Sequence, residues 1–258
     1  MATGLQVQRA AGANSAAMTP RDAIAATAWL SSVPEATIDR LADQSALHRA
    51  PSGSTLFEQA ETPAFALLLV CGSVELLAVR GAEETLVEVV QAPDFLLPAA
   101  VLNHQPYLMR ARVLNEARIV MIQAEAFRQA VASDQVLCLA VLACQAAQFR
   151  RQIKHAKNLH LRSAEERVGC YLLRLAEDAM QGESVRLPLE KRMIASQLGM
   201  TRETFSRILA GLNRHGIRVE GDLVHLRDVA AAQARFHLDP LLDGPEPITP
   251  LQGRRNGP

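Results

Sequence analysis

The sequence is poor in cysteine, has no net charge at neutral pH and contains no long apolar run. Its four cysteines are widely spaced, so neither a disulfide framework nor a CxxC metal-binding pair is present, and we expect reduced thiols. The balance of 27 basic and 27 acidic residues excludes a general attraction to nucleic acid or anionic membranes, so any polyanion must bind a local patch. No segment is long and apolar enough to span a bilayer, and residues 1–18 lack the apolar stretch of a secretory signal. We therefore expect a cytoplasmic protein.

The N-terminal half changes from helical to strand patterning. We expect the alanine-rich residues 1–18 to be a disordered tail, and a threonine followed by proline predicts a helix start at Thr19. From Ser45 to Gln123, short runs of branched residues are separated by Gly, Pro, Asn and Asp, which is typical of antiparallel strands in a sandwich or barrel. Gly72 is expected to form a tight turn, and residues 19–125 are predicted to be one domain.

Residues 126–160 have a helical period with a regular apolar seam. The seam residues fall in alternating steps of three and four, which is the spacing of a coiled coil. They are Leu139, Leu142, Ala146, Phe149 and Ile153, followed by Ala156 and His160. A helix that packs on its own barrel would show a similar stripe, but the steady alternation and the length favour a dimerisation helix.

The C-terminal region is predicted to contain two short helices about a glycine-containing turn, followed by a hairpin. Ser163 and Glu166 have the spacing of a capping box that starts a new helix, so residues 158–162 are predicted to be a hinge. The order of elements predicts a winged helix-turn-helix over residues 161–238, with a flexible Pro/Gly-rich tail at 239–258. The expected apolar contacts between its helices come from Ile194, Leu198, Phe205, Ile208 and Leu212.

The second helix of this motif, "RETFSRILAG", begins with polar side chains. In such a motif this helix enters the major groove with its N-terminus leading, so its first two turns reach base edges. Arg can donate two hydrogen bonds to guanine, Glu can accept from cytosine, and Ser can bond either kind of edge. The candidate base-reading residues are Arg202, Glu203, Ser206 and Arg207. Thr201 is the expected N-cap, and the neighbouring amides could face a phosphate.

A solvated helix start is the alternative interpretation of the same stretch. Glu203 and Arg207 would then pair with each other at a spacing of four residues. The flanking turn, the hairpin and the local charge favour DNA contact instead. Between residues 186 and 227 there are eight Arg or Lys against four Asp or Glu, a local excess of +4 in a neutral chain.

The stretch "IASQLGMTRETFSRILAGLNRHGI" closely resembles the helix-turn-helix of the CRP/FNR family of bacterial transcription regulators. The resemblance covers about residues 20–238, strongly in the C-terminal domain and less so before it. It implies an α+β fold with an antiparallel β-barrel of the cyclic-nucleotide-binding type, a long dimerisation helix and a C-terminal winged helix-turn-helix. The implied partners are double-stranded DNA, a second copy of the chain and RNA polymerase, as expected of an activator.

The resemblance also implies roles for individual residues. Glu203 and Arg207 match the two main base-reading positions of the family, and Arg202 matches the extra arginine of its catabolite-activator branch. Ser206 matches the serine of the FNR branch, in which Glu-x-x-Ser-Arg reads a TTGA-type half-site. Because Ser206 lies between the two shared readers, we expect a palindrome of TTGA-type half-sites. The positions that match phosphate contacts are Arg192, Thr201 and Thr204.

The predicted barrel lacks the residues with which the family holds a cyclic nucleotide. That pocket has a Gly-Glu pair for the ribose and an Arg-Ser or Arg-Thr pair for the phosphate, and here Leu-Pro and Tyr-Leu stand in their places. A buried cyclic phosphate would therefore have no assured partner, because the alternation of side chains along a strand allows Arg110 to face outward as well as inward. We expect an apolar effector pocket and no binding of cyclic AMP or cyclic GMP. The predicted pocket residues are Leu97, Pro98, Tyr107, Leu108 and Met109.

The positions of the cysteine and histidine residues bear on two other cofactors, an iron–sulfur cluster and haem. An FNR-type iron–sulfur cluster is not expected, because no cysteine precedes Cys71 and because Cys138 and Cys144 lie on different faces of a helix. Some members of the family with apolar pockets bind haem, and His104 is the best-placed axial ligand here, ahead of His160 and Cys71. The simpler interpretation of His104 is an ordinary solvated loop histidine. No other metal site is predicted.

The main prediction is a homodimeric DNA-binding transcription regulator controlled by an effector that is not a cyclic nucleotide. A cupin-type enzyme would need a His/Glu metal cluster on the strands, which the sequence lacks, so we expect no enzyme. Two alternatives remain: a cyclic-nucleotide-responsive regulator with a divergent pocket, and an interaction module of the same barrel type that does not bind DNA.

Overall fold

The computed structural model describes residues 18–178 and 184–249. The predicted tail at 1–18, apart from its last residue, and the end of the predicted tail at 239–258 lie outside this part of the chain. The α-helices are α1 Pro20–Ala25, α2 Glu35–Asp43, α3 Pro98–Leu102, α4 Ala124–Ser133, α5 Gln135–Leu161, α6 Ala164–Asp178, α7 Lys191–Gln197, α8 Arg202–Gly211, α9 Val229–Arg235 and α10 Pro240–Asp243. The strands are β1 Ser45–Ala50, β2 Thr55–Phe57, β3 Phe65–Arg80, β4 Glu83–Gln91, β5 Asp94–Leu96, β6 Arg110–Gln123, β7 Ser184–Arg186, β8 Ile217–Glu220 and β9 Leu223–Leu226. Short 3-10 helices cover Ala28–Leu30 and Leu212–His215.

The N-terminal domain is a rolled antiparallel sheet with strand order β1-β6-β3-β4. Strands β3 and β6 are long enough to pair with different neighbours along their lengths, so β2 pairs with β6 and β5 pairs with β3. The expected α+β class is confirmed, but the predicted barrel is not closed, because no ladder joins the edge strands β1 and β4 in the described ranges. The two predicted strands "YLMRARV" and "ARIVMIQ" contribute to the single strand β6.

Gly72 continues strand β3 and does not form the tight turn expected from the sequence. Its φ is +90°, and the register of β3 against β6 shifts between Cys71 and Ser73. A Cβ at this position would lie 2.3 Å from the carbonyl oxygen of Glu116, so only glycine fits without rearrangement. The residue therefore forms a bulge that bends the strand. A single glycine between two runs of apolar residues is compatible with either a bulge or a turn, which explains the wrong prediction.

Helix α5 packs one face against the sheet. Its buried residues are Leu137, Ala140, Val141, Ala143, Cys144 and Ala147. The nearly buried Asp94 of β5 anchors this face, because its carboxylate accepts from Gln148 Nε2 at 2.8 Å and from Arg151 Nη2 at 2.6 Å. Helices α4 and α5 are bent by 112° at Asp134, and among the described residues no single helix is long and apolar enough to cross a membrane.

The C-terminal domain has the predicted winged helix-turn-helix order. The capping box at the start of α6 is formed, since Ser163 N donates to Glu166 Oε2 at 2.9 Å and Glu166 N donates to Ser163 Oγ at 3.3 Å. Helix α5 continues to Leu161, so the predicted hinge at 158–162 is mostly helical and the chain breaks at Arg162 instead. The predicted interhelical residues lie in or against one apolar cluster, with Ile194, Phe205 and Leu212 fully buried.

Residues 239–249 are not the flexible segment expected from their Pro/Gly content. Helix α10 is capped by Asp239, and the segment then runs along α5, where Glu246 pairs with Arg150 at 2.8 Å and with Lys154 at 2.5 Å. Ile248 packs against the apolar cluster of the N-terminal domain. The ion pairs hold the segment in place, and they were not visible in the sequence because their partners lie about ninety residues earlier.

Candidate nucleic-acid interface and sensor domain

The turn between α7 and α8 is set by Gly199. Its φ is +65°, and the next residue closes the turn through a hydrogen bond from Met200 N to Ala195 O at 3.0 Å. A Cβ at Gly199 would lie 2.6 Å from Cδ2 of Leu159. The turn of the motif is therefore packed directly against the end of α5, which connects it to the N-terminal domain.

Thr201 begins α8 as its N-cap. Its Oγ1 accepts a hydrogen bond from Thr204 N at 3.2 Å, as expected for a threonine at this position. Phe205 then turns into the apolar cluster and is fully buried. The cap and the buried ring together fix which side chains of the first two turns face outward. Of the predicted phosphate contacts, Thr201 is exposed but Thr204 is half-buried and shares the cap.

The four candidate base-reading residues are all exposed on α8. No ion pair joins Glu203 to Arg207 in the described part of the chain, so the alternative of an internal pair is not formed. Arg207 reaches only Thr204 Oγ1, at 3.4 Å. The pKa of the Glu203 carboxyl is lowered by a hydrogen bond from its own backbone N–H and by Thr201, so the group is ionised at neutral pH. The front of the helix thus presents charged groups that form no ion pair with a carboxylate or a basic side chain in the described ranges.

Only three of the eight basic residues between 186 and 227 are neutralised by carboxylates. Arg186 pairs with Asp222, Arg214 with Glu165 at 2.8 Å, and Arg218 with Glu220 at 2.6 Å. The remaining basic residues form no ion pair within the described ranges, and these are Lys191, Arg192, Arg202, Arg207 and Arg227. The unneutralised charge is concentrated on α7 and α8, where a helix-turn-helix meets the DNA backbone and bases.

Helix α7 also packs against the N-terminal domain. Leu86 N of strand β4 donates to Ser196 Oγ at 2.9 Å, and Met193 packs with Leu77 and Leu86 in an apolar cluster. Arg192 is exposed beside this contact. The contact between α7 and β4 could not be predicted from local sequence patterns, because it joins residues 110 positions apart.

Most of the predicted effector-pocket residues pack in or against an apolar cluster of the sheet. Tyr107 is buried and stacks on Phe57 with ring centroids 3.6 Å apart, and burial raises the pKa of its hydroxyl to about 12, with a further contribution from Glu61. Leu97 and Met109 pack against the same apolar cluster, whereas Leu108 is 81% exposed. Three of the five predicted pocket residues, Leu97, Tyr107 and Met109, therefore lie in or against one apolar cluster of the sheet.

Arg110 is committed to carboxylates. Its guanidinium pairs with Glu58 at 2.6 Å and with Glu84, while the neighbouring Arg112 pairs with Glu84 at 3.0 Å and with the nearly buried Glu75 at 2.9 Å. Two arginines and three glutamates are therefore joined in one network, in which the carboxylates outnumber the guanidinium groups. A cyclic phosphate at this end of the sheet would have to displace a carboxylate to reach either arginine.

His104, the candidate haem ligand, lies at the surface of the N-terminal domain. This residue is exposed, and it follows α3 in a loop with φ +51°. Among the described residues, no group of three or more His, Cys, Asp and Glu side chains could hold a metal ion. The other two candidates, His160 and Cys71, are also exposed.

The predicted seam lies on the exposed face of α5. Phe149 is 67% exposed, Leu142 is 53% exposed and Ile153 is 45% exposed, while the opposite face of the helix is buried. Ala146 is exposed as well, and Leu139 is half-buried. Large apolar side chains at helical spacing that remain open to solvent are typical of a surface that another chain covers.

Two family models match the chain, and together they cover both domains. Residues 47–134 match the "Cyclic nucleotide-binding domain", and residues 166–234 match the "Crp-like helix-turn-helix domain". The second match contains α7 and α8 with all four candidate base-reading residues. The first contains the predicted pocket residues.

Curated relatives are similar over different lengths. The chain is 31% identical over 134 residues to the nitrogen fixation regulation protein FixK of Azorhizobium caulinodans, which is 49% of this chain but only about half (54%) of that relative. It is 26% identical over 184 residues to the CRP-like cAMP-activated global transcriptional regulator of Mycobacterium tuberculosis, covering 69% of this chain and 82% of that relative. The solved structure of FixK2 from Bradyrhizobium japonicum shares the fold, with 18% identity, a TM-score of 0.62 and coverage of 76% of this chain and 98% of that chain.

Proposed function

Since the chain belongs to the CRP/FNR family of transcription regulators, a family that is not enzymatic, we propose that it binds double-stranded DNA at specific sites and thereby controls transcription. The single observation that supports this most is the front of α8. Four polar residues are exposed there, held in position by a cap and a buried ring, and the three charged ones form no ion pair in the part of the chain that the structure describes. RNA polymerase is the further partner implied by such a role.

Each recognition helix would read one half of a palindrome. Arg207 would donate to a guanine, Glu203 would accept from a cytosine, and Ser206 would bond a neighbouring base edge in a TTGA-type half-site. Arg202 is exposed at the first position of α8 and is available for a further base or a phosphate. Arg192 on α7 would contact the backbone, so it would contribute affinity without sequence preference.

Arg207→Ala tests the role of the reader helix. The change should cost about 1–3 kcal/mol of binding free energy and relax the choice of one base in each half-site. Arg192→Ala should weaken binding to all sequences and lower the salt slope by about one. The matched control is Arg80→Ala, since Arg80 is an exposed arginine of the N-terminal domain. Base preferences measured by selection from a random duplex library would contradict the proposal if Arg207→Ala and Arg80→Ala gave the same profile.

A homodimer would be formed by pairing of the α5 seams across a two-fold axis. The exposed apolar residues at helical spacing support this, because a second copy of the same face would remove them from water. The two-fold axis of the protein would then match the axis of a palindromic site.

The effector of the N-terminal domain would not be cyclic AMP or cyclic GMP. The support is chemical: Tyr107 is part of the core, and Arg110 is already paired with two carboxylates. Calorimetry with millimolar cyclic AMP or cyclic GMP should therefore detect no specific binding. Micromolar affinity for either nucleotide would favour the alternative of a cyclic-nucleotide-responsive regulator with a divergent pocket. An apolar effector, haem included, would require the core around Leu97 and Met109 to open.

A further inference from the structure

A cavity of about 280 Å³ lies where the two domains meet. One wall is a face of α5 and a second wall is a face of α6, and strand β4 and residues 242–246 complete the enclosure. The α5 wall contains Arg151, Lys154, His155, Asn158 and Arg162, and the α6 wall contains Arg167, Tyr171 and Arg174. The spacing of the α6 residues, at steps of four and three, places all three side chains on one side of that helix.

The cavity has more cations than carboxylates. Its lining contains five Arg or Lys residues but only Glu88, Asp243 and Glu246 as acidic residues. Each carboxylate already has a partner on α5, with Arg151 on Glu88 at 2.9 Å, Lys154 on Glu246 at 2.5 Å and Arg162 on Asp243 at 2.6 Å. The two arginines of α6 form no ion pair in the described ranges. The cavity therefore carries a surplus of two positive charges.

One nitrogen atom of Arg167 lacks a hydrogen-bond acceptor. Its Nη1 donates to the carbonyl oxygens of Leu159 at 3.1 Å and Arg162 at 3.4 Å, at the end of α5. Its Nε is buried and has no hydrogen-bond partner. A buried donor without an acceptor is unfavourable, and an anionic oxygen would satisfy it. The neighbouring His155 does not add to the charge, because burial lowers the pKa of its imidazole, an effect that Glu88 opposes and Arg167 reinforces.

The cavity lies on the side of α5 away from the dimer seam. At 100° per residue, Arg151 and His155 point about 160° away from Ile153, which belongs to the exposed seam. Pairing of two chains through the seam therefore leaves this wall of the cavity uncovered by the partner's α5.

We infer that this cavity is a binding site for a compact dianion, whose charged oxygens are held by Arg167 and Arg174. Its volume is just below the range of about 300–1,000 Å³ found for small-molecule pockets, so the ligand is small. Arginine pairs equally well with phosphate and carboxylate groups, so a phosphate monoester and a dicarboxylate share the required chemistry. Such a ligand would join α5 to α6 and so tie the N-terminal domain to the helix-turn-helix.

Asp243 is one of the carboxylates that line the cavity, and it already pairs with Arg162. Its carboxylate accepts from Arg162 Nη1 at 2.8 Å and from Nη2 at 2.6 Å, and its side chain is only 14% exposed. It therefore neutralises a cation that would otherwise add to the surplus. Removing its charge should strengthen the attraction for an added anion.

The test is calorimetry on the full chain at low ionic strength, with inorganic phosphate in one titration and succinate in another, against sodium chloride of equal ionic strength. We expect saturable binding of one dianion per chain with a dissociation constant below about 1 mM for at least one of them. A preference for phosphate assigns the site to a phosphoryl ligand, and a preference for succinate assigns it to a dicarboxylate. Arg174→Gln should weaken the binding about tenfold, because one charge-assisted contact is lost, and Asp243→Asn should strengthen it several-fold.

The control is Arg218→Gln, which removes the same charge from strand β8, outside the cavity lining. It should change the affinity less than about twofold. Arg167→Gln should behave like Arg174→Gln. If it fails to fold by circular dichroism, the exposed Arg174 still provides the test without it. Absence of saturable heat with both dianions, or an equal effect of Arg218→Gln and Arg174→Gln, would overturn the assignment.

Discussion

Phe149→Ser tests the proposed dimer where the exposed apolar surface is largest. Phe149 is 67% exposed on the seam face of α5. A phenylalanine side chain buries about 150–250 Å² when it is covered, and each Å² contributes about 25 cal/mol, so the exposed part represents about 3 kcal/mol per chain. Two copies meet in a dimer. If half of their exposed area becomes buried, the substitution costs about 3 kcal/mol and raises the dimer dissociation constant at least about a hundredfold.

Sedimentation equilibrium over a range of protein concentrations measures this dissociation constant. The matched control is Leu241→Ser, because Leu241 is 69% exposed on α10 and is not part of the seam. Circular dichroism should show that both variants keep the helix content of the parent chain. A Phe149→Ser dimer whose dissociation constant lies within about threefold of that of Leu241→Ser would refute the assignment of the seam.

Three further outcomes follow from the packing. Gly72→Ala should lower the free energy of unfolding, measured by chemical denaturation, by more than about 3 kcal/mol, because its Cβ would meet a backbone oxygen. The control is Gly81→Ala, at φ +62° with open space around it, which should cost only about 1–2 kcal/mol. Ser196→Ala should leave Leu86 N without its acceptor, at a cost of about 1–3 kcal/mol to the contact between the domains. Hydrogen exchange of the Leu86 amide should therefore become faster. The control is Ser206→Ala, on the exposed side of α8, which should leave that exchange rate unchanged. Hydrogen bonds from Arg150 and Lys154 lower the pKa of Glu246 to about 2, so the stabilisation that Glu246→Gln removes should be fully present above about pH 5 and disappear as the pH falls towards 2. A loss that did not depend on pH would show that packing, not charge, holds residues 239–249.

Much of the C-terminal domain could be predicted because its signals are local. The cap at Thr201 and the capping box of Ser163 and Glu166 each join residues three positions apart, and both are formed. The buried positions of Phe205 and Ile194 follow from helical periodicity within short segments. A feature whose cause and effect lie within one turn of helix can be inferred without knowing the rest of the fold.

The features that were missed or predicted wrongly depend on distant partners. Gly72 is a bulge because the carbonyl of Glu116 approaches it across the sheet, and the sequence near Gly72 contains no record of that approach. The segment 239–249 is ordered by Arg150 and Lys154, and its own composition is that of a linker. In both cases the contact that determines the local structure joins residues far apart in the sequence.

The same contrast explains why the sequence supports a proposal for a DNA-reading helix but not for an effector. DNA contact requires polar side chains that are left exposed and unpaired, and those are unusual enough at the front of α8 to indicate a partner. An apolar effector pocket is lined by the same residue types that fill a core, so Leu97 and Tyr107 fit either interpretation in sequence, and the structure places both against the core. Charged cavities do not share this ambiguity, because a buried donor without an acceptor, such as Nε of Arg167, is unfavourable unless a ligand or water compensates it. A search for a ligand of this chain is therefore better begun among small anions, at the proposed site between the domains, than among apolar molecules in the sheet.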